Sequence, residues 1–98
     1  MSKVTKAITA ENQFTDLIQP SLNEDQRDGR LNISISGTFV ATVTLQRKFS
    51  DDANYYDVED FYSGYEGYIM DLESAVSYRI GVKTGNYTSG TVNVRLSK

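Results

Sequence analysis

The chain has 98 residues, of which 39% are apolar and 23% charged, a composition typical of one globular domain rather than a disordered segment. It contains no cysteine and no histidine, which excludes disulfides, thiolate metal sites and the most common general base. The net charge of -3 disfavours nucleic acid, because phosphate binding needs clustered Lys and Arg, and no run of about 20 apolar residues could span a membrane. We therefore expect a non-enzymatic protein without a cofactor that binds neither nucleic acid nor membrane.

The first twelve residues are polar and show no clear period. They predict an extended N-terminal arm over residues 1–12, followed by a single domain over residues 13–98. A neighbouring subunit that orders the arm and a fold that uses the arm itself both remain open. The segment lacks the continuous apolar stretch of a signal peptide, so we expect synthesis in a cytoplasm.

Alternation of apolar and polar residues predicts short strands throughout the rest of the chain. In the strand over residues 55–62, Tyr56 and Val58 are expected to point inward. The charged, apolar-free run at residues 23–29 is interpreted as a solvated loop. The other predicted strands cover residues 13–18, 30–36, 39–49 and 68–72, and residues 76–96 form a C-terminal hairpin.

About seven short strands separated by turn residues indicate an all-β sandwich or barrel. Leu72 lies six residues before Tyr78, and this spacing resembles the tyrosine corner of immunoglobulin-like sandwiches. The strand tryptophan of that family is absent, and Pro20 is the only proline. The sequence predicts a small antiparallel β-sandwich of the Ig-like type, with a jelly roll as the alternative.

Several carboxylates could be imagined as an acid–base pair or a calcium site. Their spacing is not that of an EF-hand loop. A glycosidase-type pair is defined by its separation in space, which the sequence leaves open. Turn residues and the polar face of one strand are the favoured interpretation of Asp51, Asp52, Asp57, Glu59, Asp60 and Asp71.

Tyrosine is concentrated in one short segment. Adjacent Tyr55 and Tyr56 would lie on opposite faces of a strand, so at least one is exposed or buried against a partner. Tyrosine is enriched at protein interfaces, and exposed rings also stack on sugars. Rings that cap the ends of the sheets are the structural alternative. The candidate interface residues are Tyr55, Tyr56, Tyr62, Tyr65 and Tyr68.

Residues 35–52 and 78–98 resemble a group of short, β-rich, cysteine-free proteins encoded in tailed-phage genomes. Related sequences are expected to carry a tryptophan near the turn where this chain has Tyr55 or Tyr56. The resemblance implies a virion structural protein, with capsid decoration or cementing as the first role and a tail- or baseplate-associated module as another. It rests on Gly37-Thr38-Phe39, TVTLQR at 42–47, the acidic turn at 49–52, Asp57-Val58, YRIG at 78–81 and KTG at 83–85.

The partner implied by this resemblance is the major capsid protein or another virion protein. Sheet edges, the N-terminal arm and the tyrosine-rich loops would form the contacts, in a homo-oligomer or multi-copy assembly. The expected location is the virion, after synthesis in a host cytoplasm. A carbohydrate-binding module that stacks sugars on the tyrosines is the alternative from a different functional class.

Overall fold

The computed structural model describes residues 2–21, 29–73 and 75–98. Within these ranges the regular structure is ten β-strands, and no helix long and apolar enough to cross a membrane occurs there. The predicted all-β fold is confirmed. The predicted loop at 23–29 lies outside the described residues except for Gly29. The strands are β1 Lys3–Ile8, β2 Gln13–Phe14, β3 Arg30–Ser36, β4 Phe39–Ala41, β5 Val43–Lys48, β6 Tyr56–Phe61, β7 Tyr65–Met70, β8 Ser77–Val82, β9 Tyr87–Gly90 and β10 Val92–Ser97.

Eight of the strands form two four-stranded antiparallel sheets. Sheet A has the order β1-β10-β3-β7, and sheet B has the order β2-β8-β5-β6. The short strands β4 and β9 form a separate two-stranded ribbon. Buried apolar side chains from both sheets make one core cluster, which includes Leu31, Leu45, Ile80 and Leu96. Two sheets that enclose one core in this way form a β-sandwich, as predicted.

The pairing of the strands identifies the type of sandwich. The pairs β1–β10, β2–β8, β3–β7 and β5–β6 are nested along the chain, as in one long hairpin whose successive strands alternate between two sheets. Eight strands arranged in this way form a jelly roll. In an Ig-like sandwich the first two strands are neighbours in one sheet, whereas β1 and β2 here belong to different sheets. The topology is therefore the jelly roll, the alternative in the sequence-based prediction.

The C-terminal stretch also differs from its prediction. The inward faces were predicted correctly, because Tyr78, Ile80, Val92 and Val94 are all buried. However, β8 and β10 do not form a hairpin: β8 lies in sheet B, β10 lies in sheet A, and β9 comes between them in the chain. Alternation indicates which side of a strand faces the core, but it does not indicate which strand is its neighbour.

The tyrosine corner is not formed. In that motif the hydroxyl of the tyrosine bonds to the backbone upstream. Tyr78 is buried as expected, but its hydroxyl donates to the side chain of Asp71. Leu72, the other residue of the proposed motif, is 53% exposed. The sequence spacing alone was therefore a misleading signal.

The predicted N-terminal arm contains an edge strand. β1 pairs with β10 from Lys3↔Ser97 to Ile8↔Val92, so residues 3–8 belong to sheet A. Ile8 is fully buried, and Val4 packs against the core. Lys6 occupies the inward-facing position between them, opposite the buried Val94. This lysine interrupts the apolar alternation, which explains why the sequence showed no period.

Three further strand predictions were too long or wrongly oriented. Residues 13–18 contain only β2 and a single bridge between Ile18 and Tyr78. Residues 39–49 form two strands: β4 in the ribbon and β5 in the interior of sheet B. Tyr56 and Val58 are 43% and 44% exposed rather than inward, while Phe61 is buried. The register shift between β5 and β6 makes Val58 the extra residue of a β-bulge, which disrupts the alternation of the strand.

Candidate interaction surface

One edge strand of each sheet, β7 of sheet A and β6 of sheet B, lies on the same side of the sandwich. Among the described strands, β7 is an edge of sheet A, β6 is an edge of sheet B, and the two are consecutive in the chain. The rings of Phe61 on β6 and Tyr65 on β7 have centroids 4.7 Å apart and connect the two edges. An edge strand presents backbone N–H and C=O groups that can pair with another chain.

Exposed apolar side chains are concentrated at these edges. Nine large apolar side chains are exposed in the described part of the chain, and seven of them lie within residues 56–72. Such a concentration along two neighbouring edge strands indicates an interaction site, whereas single scattered apolar residues are normal on a protein surface. We name the seven residues the β6–β7 surface: Tyr56, Val58, Tyr62, Tyr65, Tyr68, Met70 and Leu72.

The other edges of the sheets are better protected against pairing. β1 carries Lys3 and Lys6, and β2 is only two residues long. Charge and shortness are both common ways to prevent edge-to-edge association. β6 contains a bulge and three carboxylates. In contrast, β7 has six residues and only one charge, Glu66, so it is the edge most open to another strand.

Tyr68 is the tyrosine best placed for contact on β7. It pairs in register with Asn32 and shares the outer face of sheet A with Met70, which is opposite Arg30. Tyr68 is 56% exposed and Met70 is 55% exposed. The guanidinium carbon of Arg30 lies 5.0 Å from the centre of the Tyr68 ring. The ring is therefore held on the outer face by a cation–π contact while much of it remains open to solvent.

Tyr65 has a different position, at the junction between the two sheets. Besides contacting Phe61, its ring lies over Gly67, where an added Cβ would collide with it. Tyr65 is paired with the buried Ile35, so it points towards the core side of sheet A. Its ring covers the gap that glycine leaves in the edge strand, which is mainly a structural role.

Tyr56 and Tyr62 flank the same two edges. The hydroxyl of Tyr56 donates a 2.6 Å hydrogen bond to Asp52, which lowers the pKa of that carboxyl and raises the pKa of Tyr56. Tyr62 is 70% exposed and lines an open depression of about 430 Å³ together with Val40 and Asn86. Val40, 60% exposed, extends the apolar area to the β4–β9 ribbon.

Tyr55 belongs to another part of the molecule. Its ring lies 3.5 Å from the guanidinium carbon of Arg79, on the outer face of sheet B. Tyr68 lies on the outer face of sheet A, so these two tyrosines do not belong to one surface on which a single ligand could stack. The five tyrosines predicted as one interface are thus distributed over the outer face of sheet A, the β6–β7 junction and the outer face of sheet B. Their role in binding stays a prediction.

The carboxylates considered in the sequence analysis bond to different neighbours. Lys83, followed by Gln46, donates hydrogen bonds that lower the pKa of Asp57. Asp60 accepts a 2.8 Å hydrogen bond from Thr44. In the described ranges, no group of three or more acidic side chains is placed so that it could hold a metal ion.

No protein-family model, curated protein or solved structure matches this chain. The fold and its surfaces are therefore the basis for inferring its function.

Sequence reasoning missed the apolar residues Val58, Met70 and Leu72 of the β6–β7 surface. It also placed the start of this strand at Tyr68 rather than Tyr65, since Gly64 and Gly67 interrupt the alternation of apolar and polar residues. The segment YEGYIM contains one charge in six residues, and this shortage of charge is the signal that could have identified an open edge.

Proposed function

We propose that this protein is a non-enzymatic structural component of a tailed-phage particle, most simply a capsid decoration protein, that binds a neighbouring virion protein through the β6–β7 surface. The observation that carries the proposal is the group of exposed apolar side chains beside the weakly protected edge of β7. The jelly-roll topology supports it, because this architecture recurs in viral capsid domains.

Strand addition is the binding mode that suits this surface. A partner strand beside β7 would form main-chain hydrogen bonds, which supply affinity, while its alternate side chains would meet Tyr68 and Met70 on the outer face of sheet A. A stable interface buries about 1,600 Å² in total, more than one short strand provides. Leu72 and the exposed residues of β6 supply further apolar area next to the edge.

Many copies on one shell would increase the strength of attachment. If each copy contacted two neighbouring shell subunits, the second contact would form at a high effective concentration. A modest interface per contact could then hold a decorated shell together. A decoration protein of this kind would therefore occur in many copies in the head of the particle.

The experiment is quantitative mass spectrometry of purified virions of the phage that encodes this chain, after separation of heads from tails. We expect hundreds of copies in the head fraction, and loss of these copies when Met70 is replaced by lysine. Leu17→Lys serves as the matched control, because Leu17 is 42% exposed but follows β2 rather than β7. A few copies found only in tails would replace decoration by a tail role, and absence from both fractions would overturn the proposal.

A second candidate is carbohydrate binding at the depression beside Tyr62. This exposed ring lies next to Thr42, Asn86 and Thr88, whose polar groups could bond to sugar hydroxyls. A glycan array with the wild type and Tyr62→Ala separates the two functions. Glycan binding that Tyr62→Ala abolishes would support this candidate, and no binding by the wild type would eliminate it.

A further inference from the structure

The side chain of Arg79 is held between two aromatic rings on the outer face of sheet B. Its guanidinium carbon lies 3.5 Å from the centre of the Tyr55 ring and 4.0 Å from the centre of the Phe14 ring. Two rings so close to one planar group must cover its opposite faces. Gly81 makes this arrangement possible, because a Cβ there would collide with Phe14 and with the backbone of Gln13.

Hydrogen bonds fix one edge of the same guanidinium group. Arg79 Nε donates to Gln46 Oε1 at 2.9 Å, and Gln46 Nε2 donates to Asp57 Oδ1 at 2.9 Å. The other oxygen of Asp57 accepts a 2.6 Å bond from Lys83 Nζ. Gln46 is 6% exposed and is bonded at both ends, so it holds the guanidinium group in one orientation.

Within the part of the chain that the structure describes, the donors on the outer edge of the guanidinium group are available. In residues 2–21, 29–73 and 75–98, neither Nη1 nor Nη2 of Arg79 has a hydrogen-bond acceptor. Two carboxylates on this face are engaged elsewhere, Asp57 with Lys83 and Asp60 with Thr44. Burial lowers the pKa of Arg79 from its ordinary value, but an arginine remains charged under physiological conditions. The result is a partly desolvated positive charge with two pre-oriented amino groups.

We propose that Arg79, Phe14 and Tyr55 form a binding site for a carboxylate group. The ligand would enter in the plane of the guanidinium group and accept one hydrogen bond from Nη1 and one from Nη2, the bidentate geometry that arginine forms with carboxylates. A planar carboxylate can lie in the plane of the guanidinium group that the two rings flank. A phosphate is a poorer ligand, because Asp57 and Asp60 on the same face repel a dianion more strongly than a singly charged carboxylate. The site is separate from the β6–β7 surface and does not depend on the proposed structural role.

The test is an NMR titration of the full chain with acetate, with ionic strength held constant by chloride. The signals to follow are the Nε–Hε resonance of Arg79 in the wild type and, in the wild type and every variant, the backbone amide resonances at positions 79 and 81. We expect a saturable shift in the wild type and at least about tenfold weaker binding in Arg79→Lys, which keeps the charge but loses the planar fork. Arg30→Lys is the matched control, since Arg30 stacks on one exposed ring only, and it should leave acetate binding unchanged. Inorganic phosphate should bind at least about tenfold more weakly than acetate.

Three results would overturn the proposal. They are a chemical shift in the wild type that does not saturate with acetate, equal acetate binding in Arg79→Lys, or phosphate binding as strong as acetate binding. Tyr55→Leu provides a second variant, which keeps the guanidinium group but removes one of the two aromatic rings beside it. We expect this variant to weaken acetate binding several-fold. If Arg79→Lys fails to fold, the wild-type titration and Tyr55→Leu still decide. Virion mass spectrometry reports on the structural role and acetate titration on this site, so either idea can fail alone.

Discussion

The hydroxyl of Tyr78 donates a 2.6 Å hydrogen bond to Oδ2 of Asp71. The same oxygen lies 3.3 Å from Nη1 of Arg47. Asp71 follows β7 of sheet A, whereas Tyr78 and Arg47 belong to β8 and β5 of sheet B. Tyr78 is 2% exposed, so this bond links the two sheets in a setting shielded from water.

Replacing Tyr78 by phenylalanine should destabilise the fold. The change removes one hydrogen bond to a charged acceptor and leaves the ring packing intact, so we expect a loss of about 1–3 kcal/mol in the free energy of unfolding. Urea denaturation measures the loss. Tyr68→Phe is the matched control, because Tyr68 is 56% exposed, and it should change stability by less than about 0.5 kcal/mol. Equal effects of the two variants would contradict this assignment.

The same tyrosine should make stability depend on pH under alkaline conditions. Burial, together with the hydrogen bond to Asp71, raises the pKa of Tyr78 from 10.0 to about 12. Below pH 10 the hydroxyl is protonated in both the folded and unfolded states, and its contribution to stability is complete. Between pH 10 and about 12 only the unfolded state releases the proton, so the free energy of unfolding falls by up to about 1.4 kcal/mol per pH unit.

Comparing the wild type with Tyr78→Phe isolates this effect. The phenylalanine variant lacks the titrating group, while the other tyrosines and lysines are common to both proteins. Urea unfolding at several pH values should show the stability difference shrinking above pH 10. A difference that stays constant or grows over this range would show that the hydroxyl is not protected as the structure indicates.

Gly81 should not tolerate a side chain. An added Cβ would meet the carbonyl oxygen of Gln13 and the ring of Phe14, both in the edge strand β2. Gly81→Ala should therefore displace β2, lower the free energy of unfolding by about 1–3 kcal/mol and move Phe14 away from Arg79. Gly64→Ala is a suitable comparison, because its nearest contact would be 3.2 Å, to the carbonyl oxygen of Ile35. If Gly81→Ala is no less stable than Gly64→Ala in urea, the close approach of β2 is incorrect.

A charge on β7 should separate binding from stability. Met70 is 55% exposed, so Met70→Lys should change the free energy of unfolding by less than about 0.5 kcal/mol while placing a charge on the edge strand. If the proposed function holds, wild-type protein should be present in virions in more copies than this variant, and any self-association through β7, measured by sedimentation velocity, should be weaker in the variant. Leu17→Lys should resemble the wild type. If Met70→Lys and Leu17→Lys behave alike, β7 is not the binding edge.

Several elements could be predicted from local sequence because their signal is local. The segment RLNISIS alternates without interruption, and β3 forms over the predicted residues 30–36. The apolar positions of β8 and β10 were predicted to be buried, and they are. In β1 and β6 the signal failed for a physical reason: Lys6 interrupts one alternation, and the bulge at Val58 interrupts the other.

The sequence by itself determined that this chain forms an all-β domain, because a two-residue period fixes which side chains can be buried together. Tertiary structure decided everything that depends on which strands become neighbours. The jelly-roll pairing joins strands distant in the chain, so no local window contains it. The Arg79 site likewise combines Phe14, Tyr55 and Arg79 from three separate segments. Tyr55 and Tyr68, close in sequence, were placed on different sheets because the chain crosses between sheets from β6 to β7.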